Sequence, residues 1–435
     1  MKILLVSSPI TGHLNPVLAA AKILKDAGHE VACYTSQFFR ERVESAGLRF
    51  LPLPADVDFD MRDLDTIFPE RKTYEPGPSQ MLFDTKAIFV DAIPSQYKGL
   101  KTILNKFPVD LVLYEQAFLG MLPLLLKDRS PRPAVAGLGI GFLSLKREDG
   151  GTPGLGMLPA KDSTQREEYR AIAHQVEVAM LKPAREHANR YLRELGAASL
   201  PASIFECMVF LADVYLQPCV PSMVYPLLNP ISNLHFIGAL FPEGSGDVPA
   251  EAKAAKAAGR RVVLVSQGTL ANQDLGLLAA PVIQALGDRE DLLILVTTGG
   301  RPVNSIPCAL SKNTVVSSFL NFREILPYVD VLVALGGYGT VTQALTFGVP
   351  MVLAGLSEDK PEIGAQVVSA GSGISLRTDT PTPEQLRDSV EQILSEPSYR
   401  TNAKRLKAEF AEHDSAKELL QLLEAVVSKR AAFAD

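Results

Sequence analysis

The sequence is poor in the features that mark disulfide-rich and zinc-binding proteins. Its 435 residues include four cysteines, and no two of them have CxxC spacing. A disulfide framework or a structural zinc site is therefore not expected, and a reducing, cytoplasmic setting is the simplest one. The six histidines form no HExxH motif and no cluster with metal-ligand spacing. We therefore predict no metal and no other cofactor.

Blocks of like charge and long apolar runs are also absent. The formal net charge is −6, which gives no electrostatic reason to expect a nucleic-acid partner. No apolar run approaches the roughly 20 residues that span a bilayer, so we predict no membrane span. The N-terminal segment MKILLVSS runs into Pro9 and Gly12, which is typical of a first buried strand rather than a signal peptide.

What the chain does contain is enough material for two α/β domains. A chain of 435 residues, 47% of them hydrophobic, exceeds one ordinary domain. A strand over 2–7, a helix over 17–27 and a strand over 30–35 form a βαβ pattern, which is typical of a parallel doubly wound sheet. After a stretch of small and charged residues, 241–259, the same pattern begins again at Arg261.

Short apolar runs and helical periodicity predict the remaining elements. In the first half, strands are predicted at 49–52, 110–114, 133–137, 214–216 and 235–237, and helices at 79–106, 118–126 and 166–195. In the second half, strands are predicted at 261–266, 292–297, 314–317, 331–335 and 351–353, and helices at 273–286, 340–347, 383–394, 398–410 and 415–432. Loops are predicted at 54–80 and 146–165.

The second half is organised around a strand, a glycine turn and a helix. Val331–Leu335 is an apolar run, Gly336, Gly337 and Gly339 follow it, and a helix is predicted to begin at Thr340. The free N–H groups at that helix N-terminus would point at the glycine turn and form an anion site, most simply for phosphate. The alternative is a tight turn that needs glycine only for steric reasons.

Several segments in this region resemble one protein family. GGYGT at 336–340, then Gln343, then GVPMV at 348–352, then Asp359 and Lys360 resemble the C-terminal signature of the UDP-glycosyltransferase superfamily. The resemblance covers nearly the whole chain. It implies the GT-B fold, in which two Rossmann-like, doubly wound parallel-sheet α/β domains face a central cleft.

The GT-B plan implies a division of the chain. Residues 1–240 would form an N-terminal acceptor-binding domain, 241–259 an interdomain linker, and 260–414 a C-terminal donor-binding domain. A terminal helix over 415–435 would pack back on the first domain. The chain would be a monomer or a homodimer.

Three positions depart from the family pattern. Leu335 stands where the family usually has histidine, Gln343 where it usually has glutamate, and Lys360 where it often has glutamine. Leu335 offers no hydrogen bond to a phosphate. Lys360 could compensate as a positive charge beside the sugar or diphosphate, or it could be a solvated loop lysine.

Two residues at predicted strand ends are candidates for catalysis. Open α/β sheets bind ligands at the carboxyl ends of their strands, and His13 lies in the predicted loop after the first strand. A histidine there can act as a base, and the family's histidine at this place deprotonates the acceptor hydroxyl. Glu115 ends the strand DLVLYE where the family usually has aspartate, and it would orient His13. The alternatives are an N-terminal helix residue or a surface loop histidine for His13, and a helix N-terminal carboxylate for Glu115.

The resemblance also implies donor-binding residues. The loop at 266–269 and the glycine turn would hold the diphosphate, and Phe319 would stack on the base where many members have tryptophan. Phe319 could equally be a core residue. The full predicted donor set is Gly12, Ser266, Gln267, Gly268, Thr269, Phe319, Phe322, Leu335, Gly336, Gly337, Tyr338, Gly339, Thr340, Gln343, Asp359 and Lys360.

These features together predict an inverting, metal-independent glycosyltransferase. It would move a sugar from a nucleotide-sugar, UDP- or TDP-linked, to a hydroxyl of a small lipophilic acceptor, as in natural-product glycosylation. The predicted acceptor contacts are Ile10, Phe83, Phe89, Phe118 and Phe142. One alternative is a catalytically silent partner or regulator with the same fold. A sugar-nucleotide epimerase is a weaker alternative, because the additional carboxylates that it needs are not found.

Overall fold

The computed structural model describes residues 1–61, 64–75, 77–128, 132–242, 247–269 and 272–434, with side chains to residue 429. These residues form two wholly parallel sheets, one of seven strands and one of six. Each sheet belongs to one half of the chain. The predicted linker region, 241–259, lies only partly within the described residues.

The first sheet has the strand order β3-β2-β1-β4-β5-β6-β7. Its order reverses between β1 and β4, and such a switch point is where open α/β sheets bind ligands. Strand β1 is buried on both faces, as its unbroken apolar sequence predicts. The strands are β1 Lys2–Val6, β2 Glu30–Thr35, β3 Arg49–Pro52, β4 Leu111–Glu115, β5 Ala134–Leu138, β6 Val214–Gln217 and β7 Leu234–Phe236.

The second sheet has the order β10-β9-β8-β11-β12-β13, with its switch point between β8 and β11. The register aligns Ser266 with Ala334 and Ala334 with Leu353, so the loops that follow these strands leave the sheet at one edge. The strands are β8 Arg261–Ser266, β9 Leu292–Thr297, β10 Thr314–Ser317, β11 Val331–Ala334, β12 Met351–Leu353 and β13 Gly373–Ser375.

Helices cover both faces of each sheet. Those of the first half are α1 Thr11–Asp26, α2 Arg40–Ser45, α3 Leu64–Ile67, α4 Pro78–Asp84, α5 Ile93–Lys106, α6 Leu122–Leu125, α7 Ser163–Val176, α8 Lys182–Glu194 and α9 Ile204–Phe210. Those of the second half are α10 Ala250–Ala257, α11 Ala279–Leu286, α12 Phe322–Ile325, α13 Tyr338–Thr346, α14 Lys360–Ser369, α15 Pro383–Ser395, α16 Pro397–Phe410 and α17 Ser415–Ala434. No helix in the described part of the chain is long and apolar enough to span a membrane.

The terminal helix α17 returns to the first half of the chain. Leu419 and Leu423 are fully buried in the same apolar core as Ile3 and Leu5 of strand β1. The helix contacts α1, β5 and β6. The end of the chain therefore completes one face of the first sheet.

Several helix boundaries differ from the sequence-based expectation. Helix α1 begins at Thr11 rather than at residue 17. Pro16 does not mark its start, because the helix accommodates this proline in its second turn. The helix predicted over 79–106 is interrupted by a π-helical turn at Thr85–Val90. The helix predicted from 273 begins only at Ala279.

Some elements were not predicted from the sequence, among them α9, α14 and β13. Helix α9 carries a capping box formed by Ser203 and Glu206, which is a recognisable start signal. Helix α14 begins at Lys360, where a loop was expected, and has Pro361 in its first turn. Strand β13 is only three residues long, too short to show a pattern.

Candidate active site

The switch point of the first sheet holds His13 and Glu115. Val6 lies beside Tyr114 in the register, so the chain leaves β1 next to the end of β4. His13 lies in the first turn of α1 rather than in a loop. Its Nδ1 atom lies 3.3 Å from Oε2 of Glu115, within ion-pair distance.

Glu115 is fully buried, and its oxygens accept several hydrogen bonds. Oε1 accepts from the backbone N–H of Ser8 at 3.0 Å and from its hydroxyl at 2.6 Å, and Oε2 accepts from the N–H of Ala117 at 2.7 Å. Burial alone would raise the pKa of Glu115. The charge of His13 and these hydrogen bonds outweigh burial and lower the pKa below its ordinary value. The buried group is therefore a carboxylate directed at an imidazole that is 21% exposed.

The glycine turn of the second sheet leads directly into a helix N-terminus. Gly336 has a φ of +98°, a conformation that favours glycine. Gly337 is the N-cap of α13, and no side chain caps that helix. Gly339 is exposed, and Thr340 and Gln343 are partly exposed in the first two turns. Free N–H groups therefore point out of this end of α13, as an anion site requires.

Tyr338 turns away from that site. Its hydroxyl accepts from Nε2 of Gln217 at 2.5 Å and donates to the carbonyl of Pro218 at 3.3 Å, both in the first half of the chain. Only the backbone of Tyr338 therefore remains available to bind a nucleotide-sugar. Tyr338 therefore joins the two domains.

In the loop after β8, the side chain of Gln267 is used in internal hydrogen bonds, whereas Gly268 and Thr269 are accessible to a ligand. Gln267 is buried, donates to the carbonyl of Asp274 and accepts from the N–H of Ala279. Gly268 has a φ of +75° and open space where a side chain would stand, and Thr269 is exposed. Ser266 accepts from the N–H of Gly268. Gly268 and Thr269 remain candidates for contact with a diphosphate.

The two phenylalanines of the predicted donor set differ in position. Phe319 is 59% exposed, which fits a stacking platform better than a core residue. Its ring covers Gly300, where an added Cβ would come within 2.8 Å of it. Phe322 instead packs against the core of the second sheet, and Asn321 caps the helix that begins there. The position of Phe322 does not support a contact with the base.

The Asp359–Lys360 pair starts helix α14. Lys360 is buried, and its Nζ atom lies 2.5 Å from Oε2 of Glu358 and 3.2 Å from the hydroxyl of Ser357. It is thus neither a solvated lysine nor a free cation. Leu335 belongs to the apolar core on one face of the sheet.

Asp359 faces the first domain across the cleft. A methyl group at Gly141 would lie 3.5 Å from Oδ2 of Asp359 and 3.2 Å from Nε2 of Gln116. Burial raises the pKa of Asp359 to about 6, although the charge of Lys360 opposes that rise. Gln116 was not predicted. It directly follows Glu115, and its Oε1 accepts from the hydroxyl of Tyr215, which orients the amide.

The predicted acceptor contacts divide into three groups. Ile10 and Phe89 line a cavity of about 10 Å³, the space of about one water molecule. Phe83 stacks on Tyr74 with ring centroids 5.1 Å apart. Phe118 is fully buried in the core, which does not fit the predicted acceptor role, and Phe142 is partly buried against the core cluster that includes Tyr338 of the second domain.

The cavity beside Ile10 has a largely apolar lining. Ile88 and Phe89 lie on the π-helical turn, and such turns are frequent at functional sites. The full lining is Ser8, Pro9, Ile10, Val57, Phe59, Met61, Ile88, Phe89 and Gln96.

No group of three or more metal-ligating side chains occurs within the described residues. Asp-x-Asp spacing recurs in the sequence between Asp56 and Asp65, first at Asp56 and Asp58. Asp58 accepts from the hydroxyl of Ser36 and the N–H of Gln37, and Asp56 accepts from the hydroxyl of Ser95. Both carboxylates are thus bound by other segments of the first domain, Asp58 by the residues after β2 and Asp56 by helix α5.

Comparisons with known proteins identify related chains. Residues 282–426 match the model of the erythromycin biosynthesis protein CIII-like C-terminal domain. UDP-glycosyltransferase 2 of Phaeomoniella chlamydospora is 32% identical over 95% of this chain and 93% of its own length. The chain belongs to the UDP-glycosyltransferase family. The 4'-demethylrebeccamycin synthase of Lentzea aerocolonigenes is 31% identical over 98% of this chain and 99% of its own length.

Solved glycosyltransferase structures share the fold. A calicheamicin glycosyltransferase has a TM-score of 0.73 at 18% identity, covering 98% of each chain. The glycosyltransferase of kitacinnamycin has a TM-score of 0.72 at 21% identity, covering 98% of this chain and 99% of its own. The predicted GT-B fold is therefore confirmed, and this glycosyltransferase has its two sheets facing one cleft.

Proposed function

We propose that this glycosyltransferase inverts the anomeric centre while it moves a sugar from UDP or TDP to a hydroxyl of a small, apolar acceptor. The observation that carries the proposal is the His13–Glu115 pair, which lies across the cleft from Asp359. His13 is partly exposed, while its carboxylate partner is buried and ionised. That arrangement suits a base whose far nitrogen meets substrate.

The chemistry follows from these positions. Nε2 of His13 accepts the proton of the acceptor hydroxyl, and Glu115 stabilises the imidazolium that forms. The acceptor oxygen attacks the anomeric carbon of the sugar, and the bond from that carbon to the β-phosphate oxygen breaks. The diphosphate leaves with the bonding electrons, and backbone N–H groups at the start of α13 stabilise its negative charge. No step requires a metal ion.

Different observations support the proposed donor and the proposed acceptor. A spinosyn rhamnosyltransferase with this fold, at a TM-score of 0.69, was solved with thymidine diphosphate. Relatives of this chain include UDP-glucosyltransferase A1 of Starmerella bombicola, at 32% identity over 98% of this chain. The apolar lining beside Ile10 favours a lipophilic acceptor. The small cavity volume means that the lining side chains must move to admit one.

Replacing the base tests the mechanism. We expect His13→Ala to lower the transfer rate by about 10²–10⁴-fold and to leave the affinity for UDP, measured by calorimetry, nearly unchanged. His174→Ala, at an exposed histidine on α7, is the matched control. Transfer by wild-type protein should also survive excess EDTA.

Two results would contradict the proposal. Transfer by His13→Ala within a few-fold of wild type would remove His13 from the mechanism. Nucleotide binding without transfer to any acceptor in a broad hydroxyl panel would favour a catalytically silent partner instead.

A further inference from the structure

Glu362 of the second domain is buried against a loop of the first domain. It lies in the first turn of α14, and its side chain is 2% exposed. Its Oε2 atom accepts the backbone N–H of Gly154 at 3.0 Å and that of Gly156 at 2.9 Å. These residues belong to the segment GTPGLG, residues 151–156, which we call the 151–156 loop. Two donors from one domain therefore meet one oxygen of the other.

The conformation of the loop is suited to this contact. Gly154 and Gly156 have φ values of +93° and +64°, which favour glycine. A Cβ at Gly156 would lie 2.5 Å from the carbonyl oxygen of Pro361, so only glycine lets the two backbones approach. Neighbouring backbone N–H groups in such a turn form a concavity that binds anions. Here the anion is a side chain from the other domain.

Charged groups on both sides complete the contact. Nη1 of Arg147 lies 3.9 Å from Oε1 of Glu362, and the guanidinium stacks on Tyr225 at 3.9 Å. Asp149 holds Arg147 with two hydrogen bonds of 3.0 and 2.6 Å. From the second domain, Arg377 donates to the carbonyl of Gly156 at 2.8 Å. The buried carboxyl group therefore has two donors and a nearby counter-charge, although burial outweighs them and raises its pKa above the ordinary value.

The contact adjoins the donor site without being part of it. Asp359 is the N-cap of α14, and Lys360 and Glu362 are in its first turn. The loop that binds Glu362 therefore fixes the turn that presents Asp359 to Gly141 and Gln116.

We propose that Glu362 is a positioning residue that holds the two domains closed and sets Asp359 against the donor sugar. It does so by binding the N–H groups of Gly154 and Gly156, and it touches no substrate. The inference rests on the proposed function for the role of Asp359, whereas the closure of the domains can be tested independently.

Small-angle scattering without ligand tests the closure. Glu362→Ala should have a larger radius of gyration than wild type, and Glu362→Gln, which keeps an acceptor oxygen, should lie between them. Glu384→Ala is the matched control, because Glu384 is an exposed glutamate in the first turn of α15. Equal radii for Glu362→Ala and Glu384→Ala would overturn the proposal, whether or not transfer is observed.

Calorimetry with UDP-glucose and with UDP tests the positioning. We expect Glu362→Ala to weaken UDP-glucose binding about tenfold or more, because a hydrogen bond from the sugar to Asp359 is lost. UDP lacks the sugar, and its affinity should change less than twofold. Equal losses for both ligands would indicate a merely structural role and would overturn the positioning of Asp359. Wild-type protein that binds neither UDP-glucose nor TDP-glucose would contradict the proposed function instead.

Discussion

At the scale of single residues, two carboxyl groups near the cleft have environments that move their pKa values in opposite directions. Glu115 is more buried than Asp359, yet its pKa lies below the ordinary value because His13, Ser8 and Ala117 stabilise the charge. Among the described residues Asp359 has no comparable set of donors, and burial raises its pKa to about 6. Such separation of two carboxyl groups is typical of sites that assign them different roles.

The raised pKa of Asp359 predicts a stability effect that depends on pH. The folded protein binds the proton more tightly than the unfolded chain, whose aspartate has a pKa of 3.8. Folding therefore loses stability as the pH rises from about 4 to about 6. Asp359→Asn removes that loss, and its free energy of unfolding at pH 8 should exceed that of wild type by up to about 3 kcal/mol.

Urea unfolding at pH 4 and pH 8 measures the effect. The two proteins should have nearly equal stability at pH 4, where the carboxyl group of Asp359 is largely protonated in the folded state. The gain at pH 8 should come with weaker binding of UDP-glucose, since the asparagine that replaces Asp359 lacks the charge. A stability difference that is the same at both pH values would rule out titration of Asp359 as its cause.

At the scale of elements, two glycines in the turn before α13 allow backbone strain and ligand contact to be tested separately. Gly337 has an ordinary φ of −62°, and an added Cβ would have no atom within 4 Å. Gly337→Ala should therefore change stability by less than about 1 kcal/mol, because the lower entropy of the unfolded chain is offset by the poor fit of alanine at a helix N-cap. It should still weaken UDP binding if the diphosphate approaches the backbone there.

The neighbouring glycine provides the contrast. Gly336 has a φ of +98°, so Gly336→Ala should lower stability because alanine is strained in that conformation. Thermal unfolding and UDP calorimetry on both variants distinguish the effects. Wild-type UDP affinity in Gly337→Ala would place the diphosphate elsewhere.

Strands and strand-end residues could be predicted because their signal is local. An apolar run such as Val331–Leu335 has few alternatives, and parallel strands bring their carboxyl ends to one edge. The placement of His13 and Glu115 at strand ends could therefore be predicted from sequence, whereas their pairing was implied by the resemblance to the family. The start of α14 could not be predicted from sequence, because Lys360 and Glu362 are charged residues whose burial depends on partners distant in the chain. Phe118 was misassigned because the chain turns into the core three residues after Glu115.

At the scale of the whole molecule, the sequence pattern predicts the two domains but not the contacts between distant segments. Two similar α/β halves follow from repeated βαβ patterns. The contact of Glu362 with Gly156, 206 residues away, has no local signal. The return of α17 to the first sheet was implied only by the resemblance to a family. Its buried face nevertheless shows a helical period, since Leu419 and Leu423 are four residues apart.

The terminal helix should therefore be part of the first domain's core rather than an appendage. Leu419 and Leu423 are fully buried with strand β1 and helix α1, so truncation leaves a cavity. We expect Leu419→Ala or Leu423→Ala each to lower the free energy of unfolding by about 2–5 kcal/mol, measured in urea by circular dichroism. Gln421→Ala, exposed on the same helix, should change it by less than about 0.5 kcal/mol. Leucine variants as stable as Gln421→Ala would show that the first sheet folds without α17.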